Sequence, residues 1–176
     1  NIYTRIMNPT NDVLEKRIAS LDGGAAGLVV SSGQTASCYS IQNLARAGDN
    51  IVSSSHLYGG TYNQFKNNLS EMGIEVRFVD PTDPNNFKTA TDSKTRAYFG
   101  ETLPNPRLQV FPIKEVADIG RSQGIPLIVD NTAAPIFCRP FDHGAAVTHY
   151  STTKYIVGHV TSIGGLICDG GSFDWE

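Results

Sequence analysis

Short apolar runs alternate along this chain with longer stretches whose apolar residues recur at helical spacing. Seven runs, at residues 27–32, 50–55, 74–79, 96–101, 125–130, 146–151 and 162–168, are rich in β-branched and aromatic residues and bounded by turn formers, which predicts strands. Several are apolar almost throughout, and that pattern belongs to strands covered on both faces in a mainly parallel sheet. Between them, Asn11 or Asp12 is positioned to cap a helix that carries Leu14, Ile18 and Leu21 inward and stops at Gly23 and Gly24. Residues 34–47 place Cys38, Ile41, Leu44 and Ala45 on one helical face. A further helix is expected over residues 61–72, and Pro112 suits the first turn of one that buries Ile113, Val116 and Ala117 before Gly124. Alternating strands and helices predict an α/β architecture in a single unit.

Composition narrows the range of functions. A length of 176 residues suits one domain. A formal charge of -3, with scattered Lys and Arg, leaves no basic footprint for nucleic acid. No apolar run approaches the roughly 20 residues of a membrane-spanning helix, so a soluble protein is expected. Cys38, Cys138 and Cys168 form no CxxC pair and are odd in number, so they read as reduced core thiols of a cytoplasmic protein. His56, His143, His149 and His159 show no metal-ligand spacing, and no metal is expected.

In open α/β sheets ligands gather beyond the carboxyl ends of the strands, and four groups stand at those positions. Ser31-Ser32-Gly33-Gln34-Thr35 opens a helix, either as a simple cap or as a turn whose Gly33 and Gln34 N–H groups face a phosphate. Tyr58, in HLYGGT, is either an aromatic lid on the core or a ring that stacks on a heteroaromatic ligand. Asp130 ends the apolar run PLIV; it either closes a turn or pairs with a cationic partner such as a protonated pyridine nitrogen. Lys154 follows Ser151 and Thr153 in YSTTKYI. It is either a solvated lysine at a helix start or an amine that condenses with an aldehyde cofactor whose phosphate the two hydroxyls hold. Neither GxGxxG nor GxxxxGK[ST] occurs, which disfavours a nicotinamide or nucleotide site.

With YTRIMNPT, SSGQTA, LYGGTYNQF, ETLPNP, LIVDNT, STTKYIVGH and DGGSFDWE in this order, the chain resembles the Cys/Met-metabolism family of pyridoxal-phosphate enzymes. Within that family it is most similar to the branch acting on O-acetylhomoserine. The resemblance implies a PLP-dependent transferase-like fold, with residues 1–176 forming the central part of the cofactor-binding large domain. It implies pyridoxal 5'-phosphate bound covalently by Lys154, Asp130 on the pyridine nitrogen, Tyr58 stacked on the ring and assisting catalysis, and Asn105 on the ring hydroxyl. Gly33, Gln34, Ser151 and Thr153 would hold the phosphate. Tyr3 and Arg5 match an element that serves a neighbouring subunit, so a homo-oligomer, a dimer of dimers, is expected.

The implied reaction is replacement at Cγ of O-acetylhomoserine by sulfide or a thiol, with cystathionine γ-synthesis or γ-elimination as sister reactions. Three departures from the family pattern stand out: Ala133 in a shortened DNTAAP stretch, Tyr150 where histidine is frequent, and Val160 where glycine is usual. None of the eight arginines matches the family's substrate-carboxylate motif. A non-catalytic chain that retains only the assembly surfaces is the reading from a different class.

Overall fold

The structure is a computed structural model that describes residues 3–175. Its centre is a seven-stranded sheet: β1 (Ala26–Val30), β2 (Asn50–Ser54), β3 (Glu75–Val79), β4 (Thr95–Glu101), β5 (Leu127–Asp130), β6 (Val147–Ser151) and β7 (Gly165–Asp169). The spatial order is β1-β7-β6-β5-β4-β2-β3. All seven expected strands form, with ends displaced by a few residues. β7 runs antiparallel to both of its neighbours, while every other pair is parallel, so six strands point the same way.

Period-2 alternation divides the apolar residues between two layers. On β5, Leu127 and Val129 join Phe87, Tyr98, Phe111 and Val116 on one face, while Ile128 joins Ile41, Phe65, Leu69 and Phe99 on the other. Both faces are therefore buried, as the continuous apolar runs require. A third cluster of Ile18, Ala19, Tyr150, Leu166 and Cys168 seals the β6–β7 side.

The helices are α1 (Pro9–Asp22), α2 (Gly33–Gln42), α3 (Gly59–Asn63), which continues through π-helical turns over Gln64–Leu69, α4 (Asn85–Thr89) and α5 (Ile113–Arg121). Asn8, not Asn11 or Asp12, caps α1: its side chain accepts the Thr10 N–H, and Pro9 supplies the preset φ of a first helical residue. Leu21 of α1 is exposed, and Asp22 takes the inward position. α2 is shorter than the expected 34–47, because the Leu44 N–H bonds back to Ile41 O in a closing turn. Even so, Ile41 and Ala45 are buried and Cys38 and Leu44 pack against them, as expected. α5 buries Ile113, Val116 and Ala117 as predicted. α4 and the 3₁₀ turn Pro140–His143 were not expected; four or five residues are too few to carry a period. Among the described residues no helix is long and apolar enough to cross a membrane.

Candidate active site

Because six strands share a direction, the loops after β1, β2, β4, β5 and β6 emerge at one end of the sheet. Gly33, Tyr58, Asn105, Asp130 and Lys154 lie on or just beyond these five carboxyl ends. The sequence-predicted residues are thus brought to one edge, apart from the N-terminal pair.

The first turn of α2 abuts the end of β6. A Cβ added to Gly33 would lie 2.6 Å from Ser151 Cβ and 2.8 Å from Ser151 Cα, so only glycine lets this turn and strand end meet. The Ser32 hydroxyl caps the helix by accepting the Thr35 N–H at 3.1 Å. The Gly33 and Gln34 N–H groups remain at the positive end of a ten-residue helix, where no intrahelical carbonyl is available to them. Ser151 adds a hydroxyl at that place, and its own N–H donates to Thr132 Oγ1. Together these form a cradle of N–H and O–H donors suited to a phosphate dianion. The Gln34 amide reaches across to the Thr61 hydroxyl at 3.2 Å, and Gln64 donates to Gln34 O, which locks α2 to α3.

Thr153 has a second task in the fold. It is buried, its hydroxyl donates to Gly164 O and it accepts the Gly164 N–H at 3.1 Å, so its polar atom fastens the loop entering β7. Lys154 lies one residue on, exposed, in a turn where its N–H donates to Ser151 O and its carbonyl accepts from Gly158.

A row of side chains crosses the sheet on the α2 face. Glu101 is registered opposite Asp130, and Asp130 opposite His149, so all three project to the same side of neighbouring strands. Asp130 closes an Asx turn by accepting the Thr132 N–H, and its second oxygen lies 3.9 Å from His149 Nδ1. His149 is fully buried and stacked on Phe99, and burial pushes its pKa down so that the neutral ring is favoured. Its Nδ1 has no hydrogen-bond partner, while Nε2 lies 3.5 Å from Ser37 Oγ. The carboxylate at 130 thus has one oxygen tied to backbone and the other beside an unpaired imidazole nitrogen. That arrangement fits a cationic ring nitrogen approaching from the open edge.

Tyr58 is half exposed and precedes α3, its ring lying over Gly60, where a Cβ would meet Tyr58 Cε1 at 2.5 Å. Its backbone N–H donates to both Glu101 oxygens, at 2.9 and 3.0 Å. Asn105 is exposed, and its N–H and the Thr61 hydroxyl also favour the charged form of Glu101. Burial, followed by the charge of Asp130, outweighs these donors and pushes Glu101 up to about 8.

Sequence reasoning missed Glu101 and His149. The signal for Glu101 was present, since it is an acid closing an apolar strand just as Asp130 does. Tyr3 and Arg5 make only local contacts among the described residues, with the guanidinium 5.0 Å from the Tyr3 ring centroid, and they do not join the cluster. No group of three or more metal-ligating side chains occurs among the described residues.

The family model for Cys/Met metabolism PLP-dependent enzymes matches residues 1–176. The chain is 51% identical over 176 residues to an O-acetyl-L-homoserine sulfhydrylase of Leptospira meyeri, covering 99% of this chain and 40% of that protein. It is 50% identical over 177 residues to the homocysteine/cysteine synthase of Saccharomyces cerevisiae, again covering 99% of this chain and 40% of the relative. It therefore spans about two fifths of the length of these relatives.

Among solved structures, an O-acetylhomoserine (thiol)-lyase of Campylobacter jejuni, which carries a pyridoxyl-lysine phosphate, superposes with a TM-score of 0.96 at 39% identity, covering 98% of this chain and 43% of that one. The O-acetylhomoserine sulfhydrylase of Wolinella succinogenes superposes with a TM-score of 0.88 at 39% identity, covering 96% and 49%. A helix-end anion cradle, a strand-end acid and a following lysine on a mainly parallel sheet agree with these matches, and the chain belongs to the Cys/Met metabolism PLP-dependent enzyme family.

Proposed function

We propose that the full-length protein binds pyridoxal 5'-phosphate through Lys154 and replaces the acetate group at Cγ of O-acetylhomoserine with sulfide or a thiol. The observation that carries this reading is the meeting of Gly33 and Ser151. It sets a helix N-terminus and a hydroxyl beside the turn that bears Lys154, with Asp130 on the adjoining strand. When bound, the cofactor supplies an electron-accepting ring that delocalises negative charge developing at the substrate's Cα.

The chain's own residues divide the remaining work. Gly33, Gln34, Ser151 and Thr153 receive the phosphate, and Thr153 also fastens the loop entering β7. The Asp130 carboxylate holds a proton on the ring nitrogen, and Tyr58 covers one face of the ring while Asn105 meets the ring hydroxyl. The Lys154 amine, released by the incoming substrate amine, takes the proton from Cα and serves Cβ in turn, with the Tyr58 hydroxyl assisting. Acetate then leaves Cγ, and the sulfur nucleophile adds there.

On this reading the protein is cytoplasmic and assembles as a dimer of dimers, in which Tyr3 and Arg5 serve a neighbour's phosphate. Support for an assembly comes from apolar side chains exposed around the site, including Leu108, Val110, Ile136, Tyr155 and Phe137, the last 97% exposed. The test is product analysis with the full-length protein given O-acetylhomoserine and either sulfide or cysteine. Homocysteine from sulfide is expected; cystathionine formed faster from cysteine would move the assignment to the sister reaction.

A further inference from the structure

Glu101 is only 5% exposed, yet its carboxylate meets both the loop that carries Asn105 and the start of the helix that follows Tyr58. It receives the Tyr58 N–H on both oxygens, at 2.9 and 3.0 Å, immediately before α3 begins. It also faces the Asn105 N–H from its own loop and the Thr61 hydroxyl from the first turns of α3. Thr61 in turn accepts from the Gln34 amide at the start of α2. Its strand partner across the ladder is Asp130. One buried side chain thus links the residue expected on the ring face, the residue expected at the ring hydroxyl and, through Thr61, the phosphate-facing turn.

We infer that Glu101 is a positioning residue: by the reach of its side chain it holds Tyr58 and Asn105 where they meet the cofactor ring. This inference rests on the proposed cofactor site. The length of the side chain matters more than its charge. Asp130 already places a negative charge on the adjoining strand, and the His149 imidazole that lies against Asp130 is buried and favours its neutral form. Burial and Asp130 both favour the protonated acid at Glu101, whose shape glutamine reproduces. Aspartate keeps the charge but is one methylene short of the Tyr58 N–H.

The two conservative variants therefore separate reach from charge. In the full-length protein, pyridoxal phosphate affinity is measured by fluorescence titration, and the asymmetry of the ring's surroundings by the circular dichroism of its visible band. Glu101→Gln is expected to bind within about threefold of wild type and keep the dichroic band. Glu101→Asp is expected to bind about tenfold or more weakly, the loss of one hydrogen bond to a buried group, with a diminished band. Phe87→Leu, a core change on the opposite face of the sheet, is expected to lower stability without moving either readout. Equal behaviour of Gln and Asp, or an Asp variant better than Gln, overturns the inference. A wild-type protein that binds no pyridoxal phosphate overturns the cofactor reading itself, so the two failures are distinguishable.

Discussion

Tyr150→Phe tests how the fold holds the strand ends that carry the site. The Tyr150 hydroxyl is buried between two partners: it donates to Asp22 Oδ2 at 2.6 Å and accepts from Asn131 Nδ2 at 2.9 Å. Asn131 follows Asp130, and its Oδ1 accepts the hydroxyl of Thr102, the residue after Glu101. The chain Asp22, Tyr150, Asn131, Thr102 thus runs beneath both acids of the site. Phenylalanine leaves Asn131 Nδ2 its bond to Cys138 O and leaves Asp22 its bond from Thr148, so the loss is mainly one charge-assisted bond. Such bonds contribute roughly 1.5–3 kcal/mol, and a destabilisation of about 2 kcal/mol is expected at pH 7.

The pH dependence follows from Asp22. Burial raises its pKa above the ordinary 3.8, although Tyr150 and Thr148 oppose that shift. The native state therefore binds more protons there than the unfolded chain, and stability falls as pH rises from about 3.8 through the folded value. Without the Tyr150 donor the folded pKa rises further, so the cost of the variant grows with pH and shrinks near pH 4. Urea unfolding of the full-length protein, followed by circular dichroism at pH 4.5 and pH 8, measures both quantities. A loss below roughly 0.5 kcal/mol, or one identical at the two pH values, would refute this account of Asp22 and Tyr150.

Two further expectations concern other parts of the sheet. Gly33→Ala drives a methyl group into the Ser151 backbone, an overpacking that costs about 1–3 kcal/mol. It should weaken pyridoxal phosphate binding at least about tenfold in a fluorescence titration, because helix and strand end must separate. Asp92 is held down to about 2 by the Asn50 side chain, then by the Lys94 N–H and Arg77. Its folded pKa lies below the unfolded 3.8, so its contribution is present above that value and lost as pH falls through about 2; Asp92→Asn should flatten the decline of melting temperature between pH 4 and pH 2.

The strands were legible because both faces of the sheet are covered, which makes runs such as PLIV apolar without a break. The mainly parallel course was legible from the same runs, but the reversed direction of β7 was not. β7 reads like the others, and the loop that leads into it is held by bonds between Thr153 and Gly164. Helix ends were misplaced where side-chain capping decided them, as at Asn8, or where the last turn tightened, as after Gln42. Lys154, Asp130 and Gly33 could be picked out by residue type and place at strand ends. Glu101 and His149 were passed over because their meaning depends on register with Asp130, a relation between three separate strands. The bonds of the Thr153 hydroxyl to Gly164 were not legible either, since they join the turn to a separate loop.

The amine at position 154 is the proposed point of attachment for pyridoxal phosphate. Borohydride reduction of the full-length holoprotein, followed by proteolysis and mass spectrometry, reads that attachment directly. A phosphopyridoxyl group on the peptide that carries Lys154, with bleaching of the visible band, is the predicted result. The same label on another lysine, or no label on a protein that still turns over O-acetylhomoserine, would contradict it.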